Sequence, residues 1–177
     1  MLSYNTIFSL VSCFVNDAYM SSDSDKVNRV KLCLNNVLED IACDYINCVF
    51  QEKIIMIAGQ KFTFDLLEKN IISVKKLIKN GNEVDFTLYC DGISVKEDGE
   101  YMICYNYLPV VDLENDKIEY FSPRLTNRIV SYGVTCEYLL LEGRYDEAGL
   151  WESRYRDALK GLSRLKKNVK VKRRVWA

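Results

Sequence analysis

Apolar residues recur at three- and four-residue steps through the first quarter of the chain, which is the spacing of a helix with one buried face. This spacing predicts a helix over residues 5–20 and a second helix over residues 24–47. Between them lies SSDSD, residues 21–25, whose side chains are of the types that cap helix N-termini. The first quarter is therefore predicted to be a helical hairpin.

The pattern then changes to β-rich runs separated by turn residues. Residues 52–65 predict a strand, a glycine turn and a second strand. Asn80-Gly81 lies between two further β-rich runs, and Asn-Gly is the strongest short signal for a hairpin. A β-branched and aromatic run closes the region at Pro109. We expect a small antiparallel β insert of four or five strands over residues 52–109.

Helical spacing returns in the last third of the chain. The dipeptide Ser122-Pro123 is a typical helix start and predicts a helix over residues 123–142. A last helix is predicted over residues 146–166. Its polar face carries Glu152 four residues before Arg156, the favourable order for an intrahelical ion pair.

Large apolar residues on the last helix follow a heptad-like spacing. Trp151, Tyr155 and Leu162 belong to this series. We interpret them as helix-packing residues or, alternatively, as part of a subunit interface.

Together these elements predict an α+β fold in a single domain, residues 1–165. It is expected to be a bundle of about four helices with a small antiparallel β-hairpin insert in the middle. Residues 166–177 are expected to form an extended basic C-terminal tail.

Charge is distributed unevenly along the chain although the formal net charge is only -1. Residues 158–177 contain eight Lys or Arg and no Asp or Glu, whereas residues 1–157 contain 16 basic and 25 acidic residues. The body is acidic and the tail is basic, so a near-neutral total does not indicate indifference to charged partners.

The composition excludes several classes of enzyme site. The chain has no histidine, which removes the commonest general base, the commonest zinc ligand and every Ser-His or Cys-His nucleophile pair. It also lacks the glycine-rich phosphate-binding motifs. The carboxylates Glu114, Asp116 and Glu119 are interpreted as a solvated surface. We therefore predict no catalytic, cofactor-binding or metal-binding residues, and no enzymatic activity.

The seven cysteines contain no CxxC pair and are interpreted as reduced residues of a protein folded in the cytosol. Residues 1–20 lack the charged region and cleavage site of a signal peptide. Their apolar run is interrupted by Asn16 and Asp17, too early to span a bilayer. We expect a soluble protein with no membrane partner.

The basic tail also has an apolar pattern. Valines alternate with lysines from Val169, and a tryptophan lies near the end. Exposed large apolar groups favour association, so we interpret the tail as a docking element that adds to a partner's sheet edge or enters a partner's groove. The predicted docking residues are Lys170, Lys172, Arg173, Arg174, Val175 and Trp176.

The order of elements and three phrases resemble a known family. The phrases are AGQKFTFDLLEKNIISVKKLIKNGNEVDF (58–86), YNYLP (105–109) and FSPRLTNRIVSYGVTCEYLLLEGRYDEAGLWESRYRDALKGL (121–162). In this the chain is similar to the head-to-tail adaptor proteins of tailed bacteriophages, most of all those of short-tailed phages.

The resemblance implies a structural virion protein made in the host cytoplasm and located at the junction of capsid vertex and tail. Such adaptors form a ring, typically of twelve copies, below the portal protein. The ring extends the channel for DNA packaging and ejection without binding DNA specifically, and tail proteins attach below it. The resemblance reaches the basic tail by location only, as the segment expected to dock on the portal.

Two alternatives remain open from the residues. The first is a nucleic-acid-binding module, in which Arg173 and Arg174 contact phosphates and Trp176 stacks on a base. The second is a small helical-repeat scaffold, because residues 143–162 are similar to one helix of a tetratricopeptide repeat.

Overall fold

The computed structural model describes residues 2–112, 116–119 and 122–163. Four α-helices and nine β-strands lie in these ranges. The helices are α1 (Tyr4–Val15), α2 (Ser24–Asp40), α3 (Asn127–Leu141) and α4 (Tyr145–Ser163). The strands are β1 (Val49–Met56), β2 (Lys61–Thr63), β3 (Ile71–Lys79), β4 (Asn82–Val84), β5 (Thr87–Leu88), β6 (Gly92–Ser94), β7 (Gly99–Tyr107), β8 (Val111–Asp112) and β9 (Lys117–Ile118).

Local capping decides where the helices begin and end. α1 ends at Val15 because Asn16 adopts the left-handed conformation, with φ of 60°. α3 begins at Asn127, later than the predicted residue 123, because the hydroxyl of Thr126 accepts a hydrogen bond from the N–H of Ile129. α2 continues into one π-helical turn, Ile41–Tyr45. The predicted end of the last helix at residue 166 lies outside the described residues.

α3 is the central helix and packs against α1, α2 and α4. It is buried on most of its circumference, including two hydroxyl side chains, Ser131 and Thr135. Each of these hydroxyls donates to the backbone carbonyl four residues earlier, so neither is left without a partner. These hydrogen bonds within the helix allow α3 to carry polar residues although most of its circumference is buried.

The β region forms two antiparallel sheets. The first sheet has the strand order β1-β7-β3-β4, and the second has the order β2-β6-β5. β8 and β9 form a separate two-residue antiparallel ladder. β7 is central in the first sheet because it pairs with β1 on one side and with β3 on the other.

The predicted fold class, a helical bundle with a small hairpin insert, is therefore wrong. The four helices accompany seven strands in the two antiparallel sheets, so the protein is richer in sheet than predicted. The run 52–65 contains two strands, but they belong to different sheets: β1 pairs with β7 and β2 with β6. Pairings between strands far apart in sequence leave no local turn signal, and this is why the prediction underestimated the β region.

The predicted turn at Asn80-Gly81 is confirmed. It joins β3 to β4, and both residues have positive φ, 53° for Asn80 and 84° for Gly81. Positive φ at both central residues is the signature of the type I′ turn, which matches the twist of the paired strands.

One continuous hydrophobic core connects the helices with the sheets. On the sheet side it is dominated by β7, in which Tyr101, Ile103, Tyr105 and Tyr107 are all buried. The ring of Phe50 packs edge-on against the rings of Tyr105 and Tyr107. In the described part of the chain, none of the helices combines the length and the apolar character needed to cross a membrane.

Candidate functional site

The predicted docking residues, Lys170, Lys172, Arg173, Arg174, Val175 and Trp176, lie outside the described residues. The three predicted packing residues lie on α4 within the described part. Leu162 is partly buried against the hydrophobic core. The remaining two, Trp151 and Tyr155, contact neighbouring helices of the same chain.

Trp151 lies in an aromatic cluster between α4, α3 and α1. Its ring stacks on Phe14 with 4.5 Å between centroids, and Tyr132 lies 5.6 Å away. The guanidinium of Arg154 lies 4.7 Å from the Trp151 ring, within the range of a cation–π contact. The side chain therefore packs α4 onto the rest of the bundle.

Tyr155 packs directly on the backbone of α3. A Cβ atom on Gly133 would lie only 2.9 Å from two ring carbons of Tyr155, so glycine is what allows the two helices to approach this closely. The hydroxyl oxygen of Tyr155 is buried and has no hydrogen-bond partner in the described part of the chain. Burial, with the nearby charge of Asp40, raises the pKa of this phenol well above its usual value.

A cleft of about 360 Å³ opens beside Tyr155, between the π-helical turn after α2 and the helices α3 and α4. Four acidic side chains line it: Asp40 and Asp44 from the end of α2 and its π turn, Glu137 from α3, and Glu152 from α4. One basic side chain, Arg156, also lines the cleft and pairs with Glu152 at 2.5 Å. This pair is the one predicted from the four-residue spacing.

The carboxylates of the cleft disfavour one another. Partial burial raises the pKa of Glu137, and the charges of Asp40 and Glu152 raise it further. Partial burial also raises the pKa of Asp40, with the charge of Asp44 as the next cause. The ionised forms of both carboxyls are disfavoured chiefly by burial and then by neighbouring carboxylates, and a cation placed between these carboxylates would be stabilised.

The cleft contains a thiol but offers no activated nucleophile in it. Its one thiol, Cys136, is buried, and this burial raises its pKa to about 11, so that it is protonated at neutral pH and is a poor nucleophile. Among the described residues, no group of three or more Cys, Asp or Glu side chains is arranged to hold a metal ion.

Exposed apolar side chains surround the acidic cleft. Tyr45, Leu140 and Tyr145 line it and are exposed, Tyr145 to 70% of its surface. We call the cleft together with these three apolar residues the acidic cleft surface. Acidic and apolar side chains together suit the binding of a basic segment that also carries apolar side chains.

Little in the sequence indicates this surface. The one local signal was the pair of like charges four residues apart, Asp40 and Asp44, which is unfavourable on a helix unless something offsets it. Glu137 and Glu152 join them only through the packing of α3 against α4.

The carboxylates Glu114, Asp116 and Glu119 are interpreted from the sequence as a solvated surface. Two of them, Asp116 and Glu119, make structural contacts instead. Asp116 accepts hydrogen bonds from the N–H of Asn5 at 2.7 Å and the hydroxyl of Ser3 at 2.9 Å, at the start of α1. The Asn5 bond is the main reason that the pKa of Asp116 is lowered. Glu119 pairs with Lys69 at 3.1 Å, and Glu114 lies outside the described residues.

No protein-family model matches this sequence, and no curated protein matches it either.

Proposed function

We propose that this chain is a structural assembly subunit without enzymatic activity. Its copies join head to tail into a ring. This ring resembles the adaptor ring on the portal of a tailed bacteriophage. Such a ring would lie at the capsid vertex of the virion, extend the DNA channel and carry the tail proteins.

The observation that supports this proposal most is the acidic cleft surface. The exposed apolar side chains of Tyr45, Leu140 and Tyr145 line the same cleft. Contiguous apolar side chains on a protein surface mark interaction sites, because leaving them in water is unfavourable. A face of this kind suits contact with another protein surface better than it suits a small-molecule reaction.

Ring assembly needs two different complementary patches on each subunit, because its contacts are heterologous. The acidic body and the basic residues after 158 provide opposite charges on one chain. The proposal does not depend on the size of the β region, since function resides in surfaces and not in fold class.

The charge of the body also suits a channel for DNA. Residues 1–157 carry an excess of acidic side chains, and several copies around a pore would repel phosphate. DNA would then pass without binding. The twelve-fold ring, the portal partner and the docking of residues 170–176 on the portal remain predictions.

The acidic body argues against the nucleic-acid-binding alternative, since a polyanion would be repelled by the cleft carboxylates. That alternative predicts tight binding of a labelled duplex by the monomer, lost when residues 166–177 are deleted. Absence of such binding at low salt would leave the assembly subunit as the proposal.

The test measures the mass of the assemblies that the full chain forms across a concentration series, alone and with the portal protein. Electron microscopy then shows the shape of these assemblies. Leu140→Ser should reduce assembly while leaving the folded monomer intact, because Leu140 lines the cleft and is exposed. Leu88→Ser is the matched control, because Leu88 is also an exposed leucine but lies on β5 of the second sheet. A chain that stays monomeric under every condition, or that turns over a substrate alone, would exclude the proposal.

A further inference from the structure

We propose that the acidic cleft surface of one copy holds the basic segment of a neighbouring copy, residues 164–177. This inference rests on the proposed function and names the contact that joins one subunit to the next. It gives the segment a site different from the portal.

Charge complementarity is the first argument. Residues 164–177 contain seven Lys or Arg and no Asp or Glu. The cleft presents four carboxylates and one basic side chain, Arg156, which is already paired. Burial and then neighbouring carboxylates raise the pKa of Glu137 and of Asp40, and Arg156 is the one basic side chain among the described residues that line the cleft. Cations from a second chain would offset the charge of the remaining carboxylates.

Apolar complementarity is the second argument. The segment alternates valines with lysines and carries Trp176. The cleft offers the exposed rings of Tyr45 and Tyr145 and the side chain of Leu140 at its rim. Its volume of about 360 Å³ lies within the range of sites that bury large side chains. Tryptophan is the residue most enriched among those that dominate interface energies.

The segment is better placed for a neighbour's cleft than for its own. α4 lines its own cleft from Tyr145 to Leu159, so a return to it requires the chain to reverse direction soon after Ser163. Residues 164–177 contain no Gly, Pro, Asp or Ser, and Asn168 is their one residue of a turn-favouring type. Fully extended, 14 residues span about 46 Å, which is enough to cross to an adjacent subunit.

Two variants of the full chain test the contact by complementation. The cleft variant, Asp44→Lys with Glu152→Lys, keeps the segment intact. The segment variant, Trp176→Ala with Lys172→Ala, keeps the cleft intact. Each should self-associate about tenfold more weakly than the wild type, by sedimentation velocity. Mixed one to one, the two variants should form heterodimers and no larger assemblies. Each heterodimer contains one intact cleft and one intact segment, which bind each other.

The control variant, Asp65→Lys with Glu83→Lys, makes the same change in net charge at exposed positions outside the cleft. It should associate as the wild type does. Circular dichroism checks that all variants are folded. If the cleft variant does not fold, Asp44→Lys alone takes its place, because Asp44 is exposed, with Asp65→Lys alone as its control.

The outcomes separate this inference from the proposed function. A wild-type chain that assembles while both variants assemble equally well overturns the inference and leaves the ring. Weakened association that the mixture does not restore would show that the segment and the cleft do not bind each other between copies, which overturns the inference too. Loss of portal binding alone, with self-association unchanged in the segment variant, would assign the segment to the portal. A wild-type chain that remains monomeric with and without the portal protein overturns both proposals.

Discussion

Gly133 is a position at which α4 packs closely on α3, and replacing it by alanine tests that packing. The added Cβ would lie 2.9 Å from two ring carbons of Tyr155 and 3.0 Å from a methyl carbon of Val37. Non-bonded carbon atoms are most stable at about 3.5–4.0 Å, so the new methyl group overlaps its neighbours by about 0.5–1 Å. The Tyr155 ring or the helix must move.

Gly161→Ala isolates this clash from the general effect of alanine on a helix. Both glycines lie in helices, but a Cβ on Gly161 has nothing within 4 Å. Alanine stabilises a helix interior by about 1 kcal/mol relative to glycine. Overpacking a buried site costs about 1–3 kcal/mol. Gly161→Ala should therefore raise the free energy of unfolding by up to about 1 kcal/mol, and Gly133→Ala should be about 1–3 kcal/mol less stable than Gly161→Ala.

The assay is urea denaturation followed by circular dichroism, with the slopes compared to check that the unfolded states are equivalent. Gly133→Ala should cost less stability when Tyr155 is already leucine than in the wild type, because the clashing ring carbons are gone. The comparison is between Tyr155→Leu and the double variant. Equal stabilisation by the two alanines would refute the close helix contact and, with it, the placement of Tyr155 beside the cleft.

Three further predictions concern the cleft and the second sheet. Glu137→Gln should be more stable than the wild type above the raised pKa of Glu137 and equal to it below 4.5, the ordinary value, because burial and two neighbouring carboxylates disfavour the charged form in the folded chain. Tyr155→Phe should leave stability unchanged or raise it by about 1 kcal/mol, since the hydroxyl is buried without a partner. Gly92→Ala should cost about 3 kcal/mol, because its Cβ would lie 2.2 Å from the backbone oxygen of Phe62 and backbone cannot turn aside. Gly81→Ala, with open space but φ of 84°, should cost only about 1 kcal/mol.

Each of these has a measurement that contradicts it. For Glu137→Gln, thermal melts across pH 4–8 decide, with Glu83→Gln on exposed β4 as the control; parallel pH curves for the wild type and Glu137→Gln would mean that the cleft does not disfavour the charge. A Tyr155→Phe chain clearly less stable in urea would indicate a bonded hydroxyl. Equal urea midpoints for Gly92→Ala and Gly81→Ala would disprove the close pairing of β2 and β6.

The helices could be predicted from the sequence because their signals are local. The apolar spacing of α4 and the pairing of Glu152 with Arg156 each involve residues a few positions apart. The ends were less accurate. Thr126 begins α3 through one side-chain hydrogen bond, although Ser122-Pro123 offers an equally typical start. Asn16 ends α1 through its backbone conformation, although the apolar pattern continues beyond it.

The sheets could be predicted only where a strand meets its sequence neighbour. Asn80-Gly81 encodes the β3–β4 hairpin in two residues, because few other residues accept positive φ twice in succession. By contrast, β1 pairs with β7 some fifty residues later, as Val49 opposite Asn106 shows. Such a pairing depends on burial across the whole domain and has no local signature.

Composition and short spacings are sufficient to predict the helical segments, the hairpin turn, the absence of histidine chemistry and the opposed charges of body and tail. Tertiary packing sets which carboxylates share a cleft, since Asp40, Glu137 and Glu152 come from three different helices. It also decided that Asp116 caps α1 from 111 positions away. Packing brings distant charges within a few ångströms of one another, and interactions at that range set both the pKa values and the surface that a partner meets.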